Sequence, residues 1–406
     1  MIPLAVERRA RWVLDTLGAR DVGFGDDVPY VESAWEQVER REPPEGDELA
    51  EAFFHLARVE ELDGPRDEHG RFPVSATRLD PLDPPLERLR TKLGLEPRRW
   101  GGARFAVALS HDVDIPWRWT RKGLRLGAGR LKVALRERRG STAWREARGL
   151  AAAPVHRLRG TDPNFSFERI VDLERRRGAA SVFFLLAAHR VVQDGPAAED
   201  YDRVRPRVVE TLLGSGAEIG LHASYEAAFE PGLIADEKAE LERLGATVHG
   251  QRFHYLRVDP HANLSSLADL GFTYDSSLGF GGAPGFRGGI AHPFRPWDVQ
   301  RDRPLGLVEI PLAAMDVTLA EPRYLGLSAE EAERRLLSLL DWAAEHGGGF
   351  SILWHTDRFD PATAGGWDRL YARLIDAIHA RGGVCIPAHE LAVEARQALT
   401  SLGSEC

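Results

Sequence analysis

Four short segments carry side chains that can do chemistry together. Ser110-His111-Asp112-Val113-Asp114 sets two carboxylates two residues apart. On extended chain both point to one side, so one can hold a metal while the other works as a base. Gly220-Leu221-His222 leads into Ala223-Ser224-Tyr225-Glu226, and Arg252-Phe253-His254-Tyr255 brings Arg252 and His254 to a common face. Ile352-Leu353-Trp354-His355 ends in another imidazole. Singly, each has a bland reading: an Asp after an apolar run most often forms a turn or cap, and a lone histidine is more often structural than catalytic. Their recurrence at the ends of successive apolar runs points to a catalytic site.

The elements that must position them follow from periodicity. Phe105–Leu109 reads as a buried strand, followed by a helix at Phe167–Arg177 and a strand at Ala180–Leu186. Helix Val204–Leu213, strand Glu218–Leu221, helix Glu237–Leu244 and extended Arg252–Leu256 come next. The alternation continues with strand Val308–Leu312, helix Ala329–Glu345 and strand Phe350–Trp354. It ends with helix Trp367–Ala380, strand Gly383–Ile386 and a helix near Glu390–Leu399. Short apolar strands alternating with amphipathic helices predict an α/β fold, a parallel sheet or barrel with helices outside. In such folds the working residues come from loops at the C-terminal ends of strands.

Residues 1–100 read differently. Helical stretches at Leu4–Leu17 and Glu48–Glu60 are joined by Pro-rich connections, and Asp67-Glu68-His69-Gly70-Arg71-Phe72-Pro73 leads into a run where no helix continues. We therefore expect a small α/β or α+β module over 1–100 and a larger unit over 101–400. Gly281–Gly289 (GGAPGFRGG) lacks the Lys-Ser/Thr of a phosphate-binding P-loop and is expected to be a flexible loop covering substrate.

Composition removes other classes of answer. At 406 residues, 43% hydrophobic and 28% charged, the chain is neither disordered nor fibrous. Two cysteines, Cys385 and Cys406, exclude a disulfide framework and a Cys-rich zinc site, and Cys385 reads as a small core residue. Residues Met1 to Ala19 mix charges with apolar residues, unlike a signal peptide, and no apolar run is long enough to span a membrane. A cytoplasmic location is the expectation.

The order Asp-x-Asp, His after Glu-Ile-Gly, Arg-x-x-Tyr and Leu-x-His resembles the polysaccharide deacetylase family, built on the chitooligosaccharide-deacetylase homology domain. Ser181–Leu185 and Tyr274-Asp275-Ser276-Ser277 also match, and the resemblance covers about residues 103–395. It implies a distorted (β/α) barrel that removes N- or O-linked acetyl groups from a carbohydrate with a divalent metal, usually Zn2+. Residues 1–100 look like the accessory module of a bacterial subgroup.

Carried over residue by residue, the resemblance makes Asp112 the general base, Asp114 and His222 metal ligands, and Arg252 the clamp on the base. The Tyr255 backbone N–H would bind the oxyanion, and His355 would protonate the leaving group. One position departs: where the family has a second histidine four residues after His222, this chain has Glu226. Glu226 can ligate through oxygen, and His254 can complete the shell from the face of Arg252. His292 is a weaker candidate. Two alternatives accompany the departure: a metal-poor C–N hydrolase of cyclic amides, resembling allantoinase, and a non-catalytic glycan-binding pseudoenzyme.

Net charge is −9, yet between Arg118 and Gly160 thirteen Arg and Lys residues face two Glu, a local +11. This basic insertion at 118–160 starts beside Asp114. Its expected partners are an acidic glycan, a lipid-linked sugar phosphate or a membrane surface in peripheral contact. Nucleic acid is not expected, since no aromatic stacking platform accompanies the charge.

Overall fold

The computed structural model describes residues 2–195, 198–360 and 364–400; Cys406 lies outside them. The strands are β1 (Ala106–Val113), β2 (Ser181–Leu186), β3 (Glu218–Ala223), β4 (Gly250–Phe253), β5 (Tyr274–Asp275), β6 (Trp297–Asp298), β7 (Arg303–Pro304), β8 (Val308–Glu309), β9 (Leu312–Met315), β10 (Gly349–Leu353) and β11 (Val384–Cys385). All but β6 and β7 belong to one sheet, ordered β8-β5-β4-β3-β2-β1-β10-β9, with β11 pairing to the start of β1. Every pairing in it is parallel.

The two ends of that order, β8 and β9, are joined by only Ile310-Pro311. Two residues span at most about 7 Å, so the sheet must curl until its edges meet. The result is a distorted (β/α) barrel with a seam that is not hydrogen-bonded between β8 and β9. Proline at 311 fits that seam, because it has no N–H to give a ladder.

Alternation along β1 separates two environments. Val107, Leu109 and Val113 face outward into the main hydrophobic core. Ala106 and Ala108 face inward, with Val182, Phe184 and Tyr274. Gly220 on β3 makes room for this interior: a Cβ there would lie 2.5 Å from the Phe184 ring. The C-terminal helix (Ala388–Thr400) packs Leu391 and Ala395 into the same inner cluster, leaving the C-terminal ends of the strands as the open mouth. Cys385 is a buried free thiol, as its apolar neighbours predict.

Differences from the sequence reading are local. The expected strand Val308–Leu312 is broken at the seam into β8 and β9. Extended chain stops at Phe253, and His254–Leu256 form a single 3-10 turn with Tyr255 and Leu256 at φ of 60° and 55°. The glycine-rich stretch is not a covering loop. Phe286 and Arg287 are fully buried, Gly285 N–H donates to Ala313, and Phe286 N–H donates to Pro81. Its glycines permit close packing against residues 1–100. Gly285 has φ 133°, with Pro81 2.3 Å from where its Cβ would be.

Residues 1–100 supply the helices α1 (Leu4–Leu17), α2 (Glu32–Glu39), α3 (Glu48–Leu56) and α4 (Pro85–Lys92). Their apolar faces share the main core with the barrel. A buried ion cluster fastens the contact: Arg287 Nε donates to Glu61 Oε1 at 2.8 Å, Arg58 Nε donates to the same oxygen at 2.8 Å, and Arg58 also donates to the Arg287 carbonyl. No helix among the described residues is long and apolar enough to cross a membrane.

Candidate metal and catalytic site

Asp112, Asp114, His222, Arg252, His254, Tyr255 and His355 come together at the C-terminal mouth of the barrel. They line or border a cavity of about 390 Å³, within the ~300–1,000 Å³ typical of small-molecule sites. β1 delivers both aspartates, and adjacent strands β3 and β4 set His222 and Arg252 side by side in register. β10 delivers His355.

The two carboxylates have different surroundings. Asp112 is buried, and its Oδ1 accepts a hydrogen bond from Arg252 Nη1 at 3.0 Å. The guanidinium is held from every side. It donates to Ser110 Oγ at 2.9 Å, to the Ser276 carbonyl at 2.8 Å, to Ser276 Oγ at 2.9 Å and to Ser351 Oγ at 3.1 Å. Its carbon also lies 4.5 Å from the Phe184 ring centre. A charged group this well satisfied holds one geometry.

Asp114 faces three imidazoles. Its Oδ1 lies 3.4 Å from His222 Nε2, and its Oδ2 lies 3.7 Å from both His254 Nε2 and His355 Nε2. Burial would raise its pKa, but the charge of the facing histidines, His254 first, holds it well below the usual range. Asp114 Oδ1 is buried without a donor of its own.

Asp114, His222 and His254 form a group whose potential ligand atoms lie within 4.8 Å of one another. Each imidazole is oriented from behind. His222 Nδ1 donates to the Arg252 carbonyl at 2.9 Å, and His254 Nδ1 donates to Asp194 Oδ1 at 3.1 Å. Both Nε2 atoms are thereby turned toward Asp114, the outer-shell arrangement that fixes tautomer and aim in metal sites. With the donorless Asp114 oxygen, this fits a divalent cation, and an N,N,O donor set suits zinc. Burial alone would lower the His254 pKa, but Asp114 and Asp194 raise it to about 9. A cation would compete there with a proton.

The competing ligand candidates are not in that group. Glu226 is outside both the cluster and the cavity lining. His292 is buried against the Trp100 indole, with Nε2 3.7 Å from Glu87, at a contact with residues 1–100. His111, immediately before Asp112, points outward and is structural: it bonds the Trp354 carbonyl at 2.7 Å and Glu174 at 2.8 Å.

His355 Nδ1 donates to Asp316 Oδ1 at 2.7 Å, and Arg358 Nε donates to Asp316 Oδ2 at 2.9 Å. Burial opposes the imidazolium, but Asp316, then Asp114 and Asp112, raise the His355 pKa to about 10. These carboxylates favour the protonated form of the His355 imidazole.

Sequence reasoning missed Asp194, Asp316 and Arg71. Asp316 directly follows β9, so the strand-end rule applied to that run would have found it. Asp194 sits in a loop after β2, where it accepts from the backbone N–H of Tyr225 at 2.7 Å and of Arg190 at 3.1 Å. Nothing in its local sequence separates it from a turn former. Arg71 comes from the N-terminal hundred residues, donates to the Tyr255 carbonyl at 3.2 Å and lines the cavity. His69 packs its ring 4.6 Å from that of Tyr255. The segment Asp67–Arg71 thus braces the left-handed turn, and strained backbone of this kind concentrates at functional sites.

No protein-family model matches the sequence, and no curated protein matches it. Among solved structures, one assigned as a polysaccharide deacetylase of Mycobacterium smegmatis is similar at 18% identity and a TM-score of 0.48, covering 74% of this chain and 93% of its own. One so assigned from Pseudomonas aeruginosa is similar at 15% identity and a TM-score of 0.48, covering 76% and 97%. A family 4 carbohydrate esterase of Streptomyces lividans, solved with acetate, aligns at 12% identity and a TM-score of 0.32, covering 70% and 92%.

Proposed function

We propose that this protein hydrolyses an acetyl ester or acetamide on a carbohydrate, with Asp112 as base and His355 as acid. The observation that carries the reading is the division of labour around the two carboxylates at the end of β1. Asp112 is clamped by Arg252, Asp114 faces His222 and His254, and His355 Nε2 lies 3.7 Å from Asp114 Oδ2.

Asp114, His222 and His254 would hold a divalent cation, zinc by their donor types. When bound, the cation supplies Lewis acidity toward a carbonyl and acidifies water. Asp112 removes a proton from the attacking water, and its Arg252-bound oxygen keeps the other oxygen, Oδ2, aimed toward the His222 side, where the two lie 3.5 Å apart. As the carbonyl carbon gains the water oxygen, negative charge develops on the former carbonyl oxygen. In this reading the Tyr255 N–H, on its left-handed turn, donates to that charge. Breaking the C–N or C–O bond leaves an amine or alcohol, which takes its proton from His355, and acetate departs. Arg71 and His69 hold the turn that carries the oxyanion donor.

The test is release of acetate from acetylated chitooligosaccharides and from an O-acetylated xylan by zinc-loaded protein. Acetate release from either, abolished in Asp112→Asn, supports the reading. No release from either, with zinc bound, overturns it.

A further inference from the structure

The basic insertion folds as a hairpin of α5 (Arg121–Arg136) and α6 (Gly140–Arg159). Apart from Glu146, its buried positions are small residues: Gly127 and Ala134 on α5, and Ala143, Gly149 and Ala153 on α6, with Gly149 against Trp119. At the Gly127 position a Cβ would lie 3.2 Å from Leu150, so the helices approach closely. Leu124, Leu131 and Leu150 are half-buried, but other large apolar residues are left outside. Trp144 is 70% exposed, Val155 48% and Leu158 88%. With exposed Ala151 they fall at i, i+7, i+11 and i+14, one stripe along α6. Exposed Arg148 and Arg159 run along one edge of that stripe.

We propose that this hairpin is an interfacial element that docks the protein on an anionic lipid bilayer. An apolar stripe carrying tryptophan, rimmed by arginines within a segment of local charge +11, is the pattern of a helix lying in the headgroup plane. An acidic protein surface would satisfy the arginines but leave Trp144 and Leu158 against charge. A bilayer satisfies both, with lipid phosphates at the rim and acyl chains below.

The hairpin is tied to the barrel mouth by ion pairs and hydrogen bonds. Arg118 pairs with Asp360 and with Glu146 at 3.2 Å, and Arg130 Nε donates to Glu146 at 3.0 Å. Asp162 accepts the backbone N–H groups of Arg118 and Trp119 at 2.8 Å each. A second cavity of about 280 Å³, walled by Leu126 and Arg130 of α5, shares Asp114 and Ile115 with the catalytic one. Docking would therefore present the reactive mouth to material at the membrane surface. The inference goes beyond the hydrolytic reading, and its test uses binding alone, so either can fail without the other.

The full chain is sedimented with phosphatidylcholine vesicles, with or without about 30 mol% phosphatidylglycerol. Binding is expected only with the anionic lipid, and is expected to be lost in about 1 M salt, where the Debye length falls to ~3 Å. Trp144→Ser/Leu158→Ser and Arg148→Glu/Arg159→Glu should each weaken it by roughly tenfold or more. Circular dichroism of both should match the parent, since all four side chains are exposed. Brominated lipid should quench the parent's fluorescence more than that of Trp144→Phe. Equal binding to neutral vesicles, no binding to either, or binding insensitive to both double variants overturns the proposal. So does a dimer that dissociates in Trp144→Ser/Leu158→Ser while vesicles go unbound, which would assign the stripe to a second copy of this chain.

Discussion

At Asp112 one carboxylate oxygen is occupied by Arg252, whereas Asp114 Oδ1 is buried without a donor. The roles proposed for them separate on substitution. Asp112→Asn should keep zinc and lose about 10²–10⁴-fold in kcat, while Asp114→Ala should lose zinc and activity together, read by metal titration beside acetate release. Asp194→Asn removes the carboxylate behind His254, at the cavity wall, while leaving Asp114, His222 and His254 in place. Zinc affinity should fall roughly 10–100-fold, the usual cost of an outer-shell partner. His355 gives a pH signature. Its pKa is raised to about 10, so the donor is protonated below that value and activity falls as pH rises through it. Asp316→Asn takes away the largest favourable charge. The basic limb should then move down by about a unit or more while bound zinc is unchanged. A basic limb that does not move would dissociate Asp316 from the acid.

At the scale of elements, the site depends on how closely the barrel interior closes behind Arg252. Gly220 lies under the Phe184 ring, and that ring lies under the guanidinium. A methyl at 220 must displace the ring, so Gly220→Ala should cost about 1–3 kcal/mol in chemical denaturation. It should also lower kcat, because the clamp on Asp112 shifts with the ring. Unchanged stability would mean that the interior has slack. The His254–Leu256 turn is the other element on which geometry hinges. Simple alternation along an extended strand would put His254 beside Arg252, but the chain leaves the sheet after Phe253. His254 reaches Asp114 through a turn with two consecutive left-handed residues, and side chains of residues 69 and 71 pack on or bond to that turn.

For the molecule as a whole, the Glu61–Arg58–Arg287 cluster is the polar lock between residues 1–100 and the barrel. Burial would raise the Glu61 pKa, but the two arginines lower it to about 2 from an ordinary 4.5. A depressed carboxylate pKa stabilises the fold above the unfolded value. That stabilisation disappears as pH falls from about 4.5 toward 2, and is worth at most roughly 3 kcal/mol. Glu61→Gln leaves two buried guanidiniums short of a counter-charge and should cost about 3–5 kcal/mol at neutral pH. Its stability should also vary less with pH between 4.5 and 2, measured by denaturant melts across that range. A variant as acid-sensitive as the parent would move the lock elsewhere.

The order of strands and helices was legible from periodicity alone, because a parallel barrel buries both faces of its strands and one face of each helix. Helix Trp367–Ala380 is found with the bounds its pattern predicts, and the strand-end rule led to Asp112, Asp114, His222 and His355. What the sequence could not decide was which residues meet across long separations. Asp194 behind His254, Asp316 behind His355 and Arg71 against Tyr255 are contacts between segments 39 to 184 residues apart. The choice among Glu226, His254 and His292 was of the same kind. One lies off the cavity, one is stacked on Trp100, and one is carried to Asp114 by a turn whose backbone no local pattern announces. The glycines of 281–289 were open to the same error. Without tertiary context a glycine-rich run reads as freedom, whereas here its missing side chains let two parts of the chain pack against each other. Local patterning sets where elements begin and end. Which ligand completes a shell is decided by how the sheet curls, and that depends on the whole chain at once.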